Sequence, residues 1–317
     1  MQDRIPAPAS LDRSGTVGQS TGRCEIIPML QILWDTRGYF FWLWVISLAC
    51  WVLERLAPWR PRQRAWREQF GQDLFWLVFN GHYAGILLAS ASTWALGLLS
   101  MTFGAGFLLL PQPLRLLMER PLWLQFIVFL IAKDFLEFLI HNLLHRVPWL
   151  WEFHKLHHSI RELDWIGNMR FHWMEIAVYH SLTYFPLFLL NVDSRVILWI
   201  AIFTTIIGHL NHSNLNLDWG IFRYLLNSPR LHVWHHDLVL HQRHGQNFGV
   251  VFSLWDYLFG TAYAPGQGYP ARLGFEGMET FPPGLLPRLI YPIRIGFKPK
   301  GTSRLQVGVG KSLRSHE

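Results

Sequence analysis

Eight histidines fall in three groups whose spacing suits metal ligation: His141-x-x-x-His145, His154-x-x-His157-His158 and His232-x-x-His235-His236. Neutral imidazole is a good donor to first-row transition metals, and several such donors held around two ions make a dinuclear centre. On a helix, residues three and four apart share a face, about one turn apart. His141 and His145 can therefore approach one ion, and each His-x-x-His-His turn offers donors to two. A single turn of this kind can arise by chance or lie on a solvated face. Two copies together with a His-x-x-x-His in one chain point to two bound metals. Asp134 and Glu137 stand seven and four residues before His141 on the same stripe. Either they orient the imidazoles through their second nitrogens, or one of them pairs with Lys133 inside the helix bundle.

The elements that must position these groups are apolar. Of 317 residues 51% are hydrophobic, with 17 Trp and 23 Phe, and they gather in long runs. Runs of about 20 residues match the hydrocarbon core of a bilayer. They cover 38–56, 74–100, Leu122–Leu144 and a close pair, Met174–Val192 and Arg195–Leu210. The expected fold is all-α: an integral-membrane bundle of four to five spans with a cytoplasmic helical cap that holds the dimetal site. Pro111 and Pro113 interrupt Phe103–Met118, which reads as a hairpin or interfacial turn.

Four regions follow: a mobile leader over 1–37, N-terminal spans over 38–120, a catalytic domain over 121–265 and a basic C-terminal extension over 266–317. The leader shows no alanine-type cleavage site after a short apolar core, so it is not read as a signal peptide. The tail from Pro283 to Glu317, with Lys298, Lys300, Arg304, Lys311 and Arg314, reads as flexible and close to lipid. Arg60, Arg62, Arg64 and Arg67 make the 57–73 loop the cytoplasmic one, which puts all three histidine groups on that side and the leader opposite, against the leader's own arginines. The formal net charge of +7 comes from residues flanking spans and tail. It forms no dense stripe interleaved with exposed aromatics, which argues for anionic lipid and against nucleic acid. Cys24 and Cys50, the two cysteines, fit neither a zinc ribbon nor a disulfide framework.

Around the histidines run Leu150-Trp-Glu-Phe-His-Lys-Leu-His-His-Ser159, Arg170-Phe-His-Trp-Met-Glu175, His212-Ser-Asn214, Ser228-Pro-Arg-Leu-His232, Asn247-Phe-Gly249 and Trp255-Asp-Tyr-Leu-Phe-Gly-Thr261. In order and spacing, roughly over residues 120 to 262, this resembles the fatty acid hydroxylase/sterol desaturase superfamily. The resemblance implies a histidine-ligated oxygenase with two Fe ions, for which Zn can substitute in purified protein. Such an enzyme acts on lipid C–H bonds with O2 as co-substrate. It also implies the eight cluster histidines as ligands, His212 as a ninth, and His172 as a further metal candidate. His209, three residues from His212, is another. The chain departs from the family in having Phe138 and Asn142 around the first histidine, where Tyr and Arg are usual, and Gly245 in place of an Asp.

The chemistry has its own logic. Breaking an unactivated C–H bond with O2 needs a redox-active metal, which zinc is not. With no glycine-rich dinucleotide fingerprint and no haem attachment motif, a separate reductase, ferredoxin or cytochrome must deliver the electrons. The basic face would dock such a partner or hold anionic headgroups. Hydroxylation of an acyl or sterol-like chain is the expected reaction, with desaturation, methyl oxidation and ether cleavage open to the same centre. A histidine-rich membrane metal transporter or sensor is the alternative. A membrane cytochrome would need histidine pairs at bilayer depth, and a zinc peptidase would need His-Glu-x-x-His. His82 and His180 read as bundle histidines, and His241, His244 and His316 as surface ones.

Overall fold

The computed structural model describes residues 35–103, 112–266 and 268–293. Most of the leader, the middle of the Phe103–Met118 segment and the basic residues from Lys298 onward lie outside the described residues. What is described is helical, with isolated bridges such as Pro58 to Leu215 and no strand. The helices are α1 (Tyr39–Leu56), α2 (Phe70–Phe103), α3 (Gln112–Met118), α4 (Leu122–Arg146), α5 (Pro148–His158), α6 (Trp173–Thr183), α7 (Phe185–Leu189), α8 (Ser194–His212), α9 (Pro229–His235), α10 (Leu254–Phe259) and α11 (Leu285–Ile290).

Three of them, α1, α2 and α8, are long and apolar enough to cross a membrane. α4 is longer, at 25 residues, but contains Lys133, Asp134 and Glu137. All three charges are buried, while Trp123, Ile127, Val128, Ile131, Leu136, Leu139 and Leu143 lie exposed on the other face. Polar inside and apolar outside is the reverse of a water-soluble amphipathic helix. The expected single span Met174–Val192 is instead broken: α6 stops before Tyr184, and Pro186 sits in the first turn of α7, because proline lacks an N–H and its ring clashes with the preceding turn.

α1 packs Leu43, Ile46 and Cys50 against Leu77 of α2 and against Trp165 and Ile166 of a short 3₁₀ turn. Within α2, residues Phe79–Tyr83 open into a π-turn, and Asn80 uses it to donate to the carbonyls of Met169 (2.8 Å) and Phe171 (2.9 Å). At the same end of the bundle Arg67 bonds to Asp73 and Asp164, each at 2.6 Å, and Arg170 grips Asp73 through Nε (2.5 Å) and Nη2 (2.7 Å). These charges are buried and paired with one another, so the 57–73 and 159–170 segments are tied together.

The described residues 268–293 pack onto the bundle, including the first part of the tail expected to be flexible from Pro283. Phe275 and Phe281 pack with Trp76 and Leu156, and the buried Arg288 donates to Gln69 (3.0 Å) and Gln72 (2.5 Å). Their aromatic rings bury apolar area that composition alone, dominated by Pro, Gly and basic residues, obscures.

Candidate dimetal centre

α4 and α8 both deliver histidines from their C-terminal turns, His141 and His145 from one and His212 from the other. α5 begins at Pro148, whose fixed φ suits a first turn, and ends in His157 and His158. α9 begins at Pro229 behind the N-cap Ser228, whose hydroxyl accepts from Leu231 N–H at 3.3 Å. The four helix ends converge on nine histidines in two groups. His141, His145, His154, His158 and His235 form one; His157, His212, His232 and His236 form the other. Within each group one nitrogen per residue lies within 4.8 Å of all the others. The groups adjoin, with the His158 and His236 ring centroids 4.6 Å apart.

The two His-x-x-His-His turns are used in opposite senses. α5 gives its i, i+4 pair, His154 and His158, to the five-membered group and His157 to the other; α9 gives His235 to the first and the pair His232 and His236 to the second.

Hydrogen bonds set which nitrogen points inward. A carbonyl can only accept, so each Nδ1 that meets one must carry the proton and leave Nε2 as a lone pair. His141 meets Phe248 O at 2.8 Å, His235 meets Gln246 O at 2.8 Å, His212 meets Gly208 O at 2.8 Å and His157 meets Arg170 O at 3.3 Å. His154 Nδ1 meets the Glu175 carboxylate at 2.7 Å. The inward atoms then face one another: Nε2 to Nε2 distances are 3.2 Å for His141–His154, 3.2 Å for His157–His212, 3.1 Å for His212–His232 and 3.3 Å for His232–His236. In the His141–His154 and His157–His212 pairs, where all four Nδ1 atoms are committed elsewhere, two acceptors at that distance cannot satisfy each other; a cation between them can. The Nε2 atoms of His145, His158 and His235 are also buried without a hydrogen-bond partner. Burial, reinforced by neighbouring imidazoles, holds His154, His157, His158, His232, His235 and His236 well below the ordinary histidine range, hence neutral. The donor set therefore fits two borderline transition-metal ions.

The loop that supplies two of the carbonyls is itself held by side chains. Asp256 accepts from Phe248 N–H and Gly249 N–H, both at 2.7 Å, and Asn247 clamps Leu231 O and Tyr263 O, both at 2.8 Å. Gly249 is required there, since a Cβ would lie 2.4 Å from Phe252 O.

Several sequence expectations need correction. Asp134 accepts from Val251 N–H (2.7 Å), Phe252 N–H (3.0 Å) and Trp255 Nε1 (2.8 Å), and Glu137 pairs with Lys133 at 2.6 Å. Neither hydrogen-bonds an imidazole: Asp134 is committed to residues 251–255, and Glu137 pairs with Lys133, as the second of the two sequence readings has it. The carboxylate that does so is Glu175, whose signal was a lone acid opening an apolar segment. His172 and His209 fall outside both groups. His172 caps α6 through Nδ1 (3.2 Å to Met174 N) and meets Leu289 O at 3.2 Å, while His209 bridges Ser47 (3.1 Å) and Asn168 (2.9 Å). His82 packs on Phe40 and His180 on Tyr184. His241 is half-buried rather than a plain surface residue, bonded to Asp237 at 2.8 Å and stacked on Tyr263.

Comparison with known proteins converges on the same residues. The family model described as fatty acid hydroxylase matches residues 126–261, which contain all nine histidines. The ornithine lipid hydroxylase of Rhizobium tropici is 29% identical over 284 residues, covering 86% of this chain and 81% of its own. The cholesterol 25-hydroxylase of Rattus norvegicus is 25% identical, covering 77% of this chain and 78% of its own, and a fatty acid hydroxylase of Lecanicillium sp is 28% identical over 47% and 46%. No solved structure gives a significant match. Residues 126–261, with all the histidine groups inside them, thus match the fatty acid hydroxylase family, and over most of its length the chain is similar to proteins named as an ornithine lipid hydroxylase and a cholesterol 25-hydroxylase.

Proposed function

We propose that this protein is a membrane-bound oxygenase that holds two iron ions and hydroxylates a C–H bond of a lipid. The observation behind this reading is the pair of adjoining donor groups, whose neutral imidazole lone pairs converge in a buried site. Iron bound there would supply redox chemistry toward O2 that zinc lacks. The balanced reaction is R–H + O2 + 2 e⁻ + 2 H⁺ → R–OH + H2O, with electrons from a separate reductase, ferredoxin or cytochrome.

The chain's own residues do the positioning. Backbone carbonyls and Glu175 fix the tautomers and ring planes of five histidines. Asp256 and Asn247 fix the loop behind His141 and His235. Burial of the imidazoles keeps bulk water from competing for the inward lone pairs. Of the two reported relatives that align over most of both chains, the more similar is named an ornithine lipid hydroxylase, at 29% identity against 25% for the cholesterol 25-hydroxylase, which favours a membrane lipid with a polar headgroup as substrate.

Five membrane crossings account for the helix directions. α4 and α8 both end at the histidines, so the chain between them must return, and α6 with α7 begins beside the site and leads away from it. α1 ends near the site, where Glu54 accepts from Trp165 N–H and Asn214 N–H, and α2 leaves from it at Asp73. Residues 38–120 then act as N-terminal spans and 121–265 as the catalytic unit. The arginines of the 57–73 loop favour the cytoplasmic side for the histidine end, by the bias of positive charge toward cytoplasmic loops.

The test is iron analysis together with mass spectrometry of lipid extracts from cells expressing wild type or His157→Ala, with a reductase present. Two irons per chain and a lipid heavier by one oxygen in the wild type alone are expected. A wild type that binds metal yet leaves every lipid unchanged would sink the oxygenase reading.

A further inference from the structure

α10 and the loop before it sit beside the middle of α4, not beyond its end. Phe259 packs on Phe135 (ring centroids 6.0 Å) and Phe138 (5.4 Å), and Trp255 on Phe135 (4.9 Å). The exposed apolar stripe of α4 continues past them from Trp123 to Leu143, about 30 Å at 1.5 Å per residue, which is the thickness of a hydrocarbon core. If that stripe faces lipid, α10 stands at lipid depth as well.

Irregular backbone at that depth is tolerated only where its polar groups are satisfied by protein. The loop preceding α10 meets this condition largely with side chains. Asp256 takes the N–H groups of Phe248 and Gly249, and Asp134 takes those of Val251 and Phe252. His141 takes Phe248 O, Asn227 Nδ2 donates to Gly249 O, Asn211 Nδ2 donates to Val250 O, and Asn227 N–H donates to Val251 O. This also explains Asp134, a carboxylate inside an apolar helix that serves no imidazole.

What the element turns outward is apolar. Leu258 is 65% exposed and Phe259 57%, and the adjoining 3₁₀ turn Gly220–Tyr224 presents Ile221 at 78% and Phe222 at 62%. The two pieces are joined by Ser253 Oγ donating to Arg223 O (2.7 Å) and by Tyr224 packing on Tyr257 (5.0 Å). Arg223 lies against Tyr224 at the edge of the patch, a pairing of cation and tyrosine suited to headgroup level.

We infer that residues 219–226 and 248–260 form a re-entrant element whose face, Ile221, Phe222, Leu258 and Phe259, is covered by the acyl chains of the leaflet that α4 crosses. The occupant is lipid because the face is continuous with the outward stripe of α4. This inference rests on α4 being a span, as proposed above.

Single cysteines introduced at Leu258, Phe222, Leu139 of α4 and the exposed Glu276, beside Phe275 at the histidine end, in the full chain carrying Cys24→Ser and Cys50→Ala, are spin-labelled in phosphatidylcholine/phosphatidylglycerol vesicles. Labels at Leu258, Phe222 and Leu139 should collide more with oxygen than with a water-soluble nickel chelate, and the label at Glu276 the reverse. If Leu139 prefers oxygen while Leu258 and Phe222 prefer nickel, the re-entrant element is wrong and the α4 span stands. If Leu139 itself prefers nickel, the span fails and this inference with it. Shielding of Leu258 from both reagents, with broadening relieved by unlabelled protein, would mean a second copy covers the face and would equally overturn the inference.

Discussion

The two donor groups differ by one histidine, and the difference tells how each was assembled. The five-membered group is made of two i, i+4 pairs, His141/His145 and His154/His158, completed by His235. Its partner has one such pair, His232/His236, completed by His157 and His212, which come from different helices. One site is built mainly from local helical spacing, the other mainly from tertiary contact. The four-membered group has the fewer donors, so each of its histidines carries the larger share of its ion's ligation. The five-membered group holds a surplus, and His145 is its half-buried member.

The largest effect should therefore come from the smaller group. His157→Ala or His232→Ala is expected to drop bound metal from two ions to one and to abolish lipid oxidation. Losing a group that merely orients a ligand already costs about 10–100-fold, so losing a ligand costs more. His145→Ala leaves four donors in its group and should retain both ions with reduced turnover. Metal analysis of the purified variants checks both, and equal loss from both groups would erase the distinction drawn between them.

Next in size is Glu175→Ala, which removes the carboxylate behind His154. Metal affinity of the five-membered group should fall about 10–100-fold, while the four-membered group keeps its ion. Glu175→Gln, which can still accept from Nδ1, should restore most of the affinity. A metal titration that shows both sites weakened together would mean Glu175 supports the fold rather than His154.

How much of this was legible in the sequence follows from the same contrast. The histidine triplets were visible because i, i+3 and i, i+4 spacing is local and helical, and α4, α5, α8 and α9 deliver them as that spacing implies. Partners brought together by tertiary folding were not: His154 and Glu175 are 21 residues apart, Arg170 and Asp73 are 97, and Asp134 and Val251 are 117. Asp134 and Glu137 showed the right periodicity for touching histidines, but periodicity gives a face and not the partner chosen on it: Lys133 takes Glu137 and the 251–255 segment takes Asp134. Met174–Val192 had the composition of one span; Pro186 mattered more than its hydropathy.

Acid should treat the groups as equals, since each holds three of the six neutral histidines outside the membrane helices. Their folded pKa values lie below the unfolded value of about 6.5. Below that pH the unfolded chain takes up protons that the folded site refuses. Stability of the metal-free protein is thus greatest above about pH 6.5 and is lost as pH falls, by up to about 1.4 kcal/mol per unit for each histidine. Thermal melts of chelated protein between about pH 7 and about pH 5 would show a falling midpoint, and a flat profile would mean that these imidazoles are not held neutral.

The smallest effect is expected at His209, and it bears most directly on the count of four. His209 lies three residues before His212 on α8, but its two nitrogens are already engaged, one with Ser47 and one with Asn168. His209→Ala should leave two ions bound and cost about 1–3 kcal/mol of stability, the penalty for unpairing the buried Ser47 and the half-buried Asn168. Asn168 approaches Gly208 so closely that a Cβ there would meet its Oδ1 at 2.7 Å, so the loss should appear as a lower melting temperature of the α8 contact with the 165–169 turn. Should the variant instead lose an ion, His209 would be a fifth donor to the second group. The two groups would then be equal in number, and the difference in how they were built would have no consequence for how tightly each holds its metal.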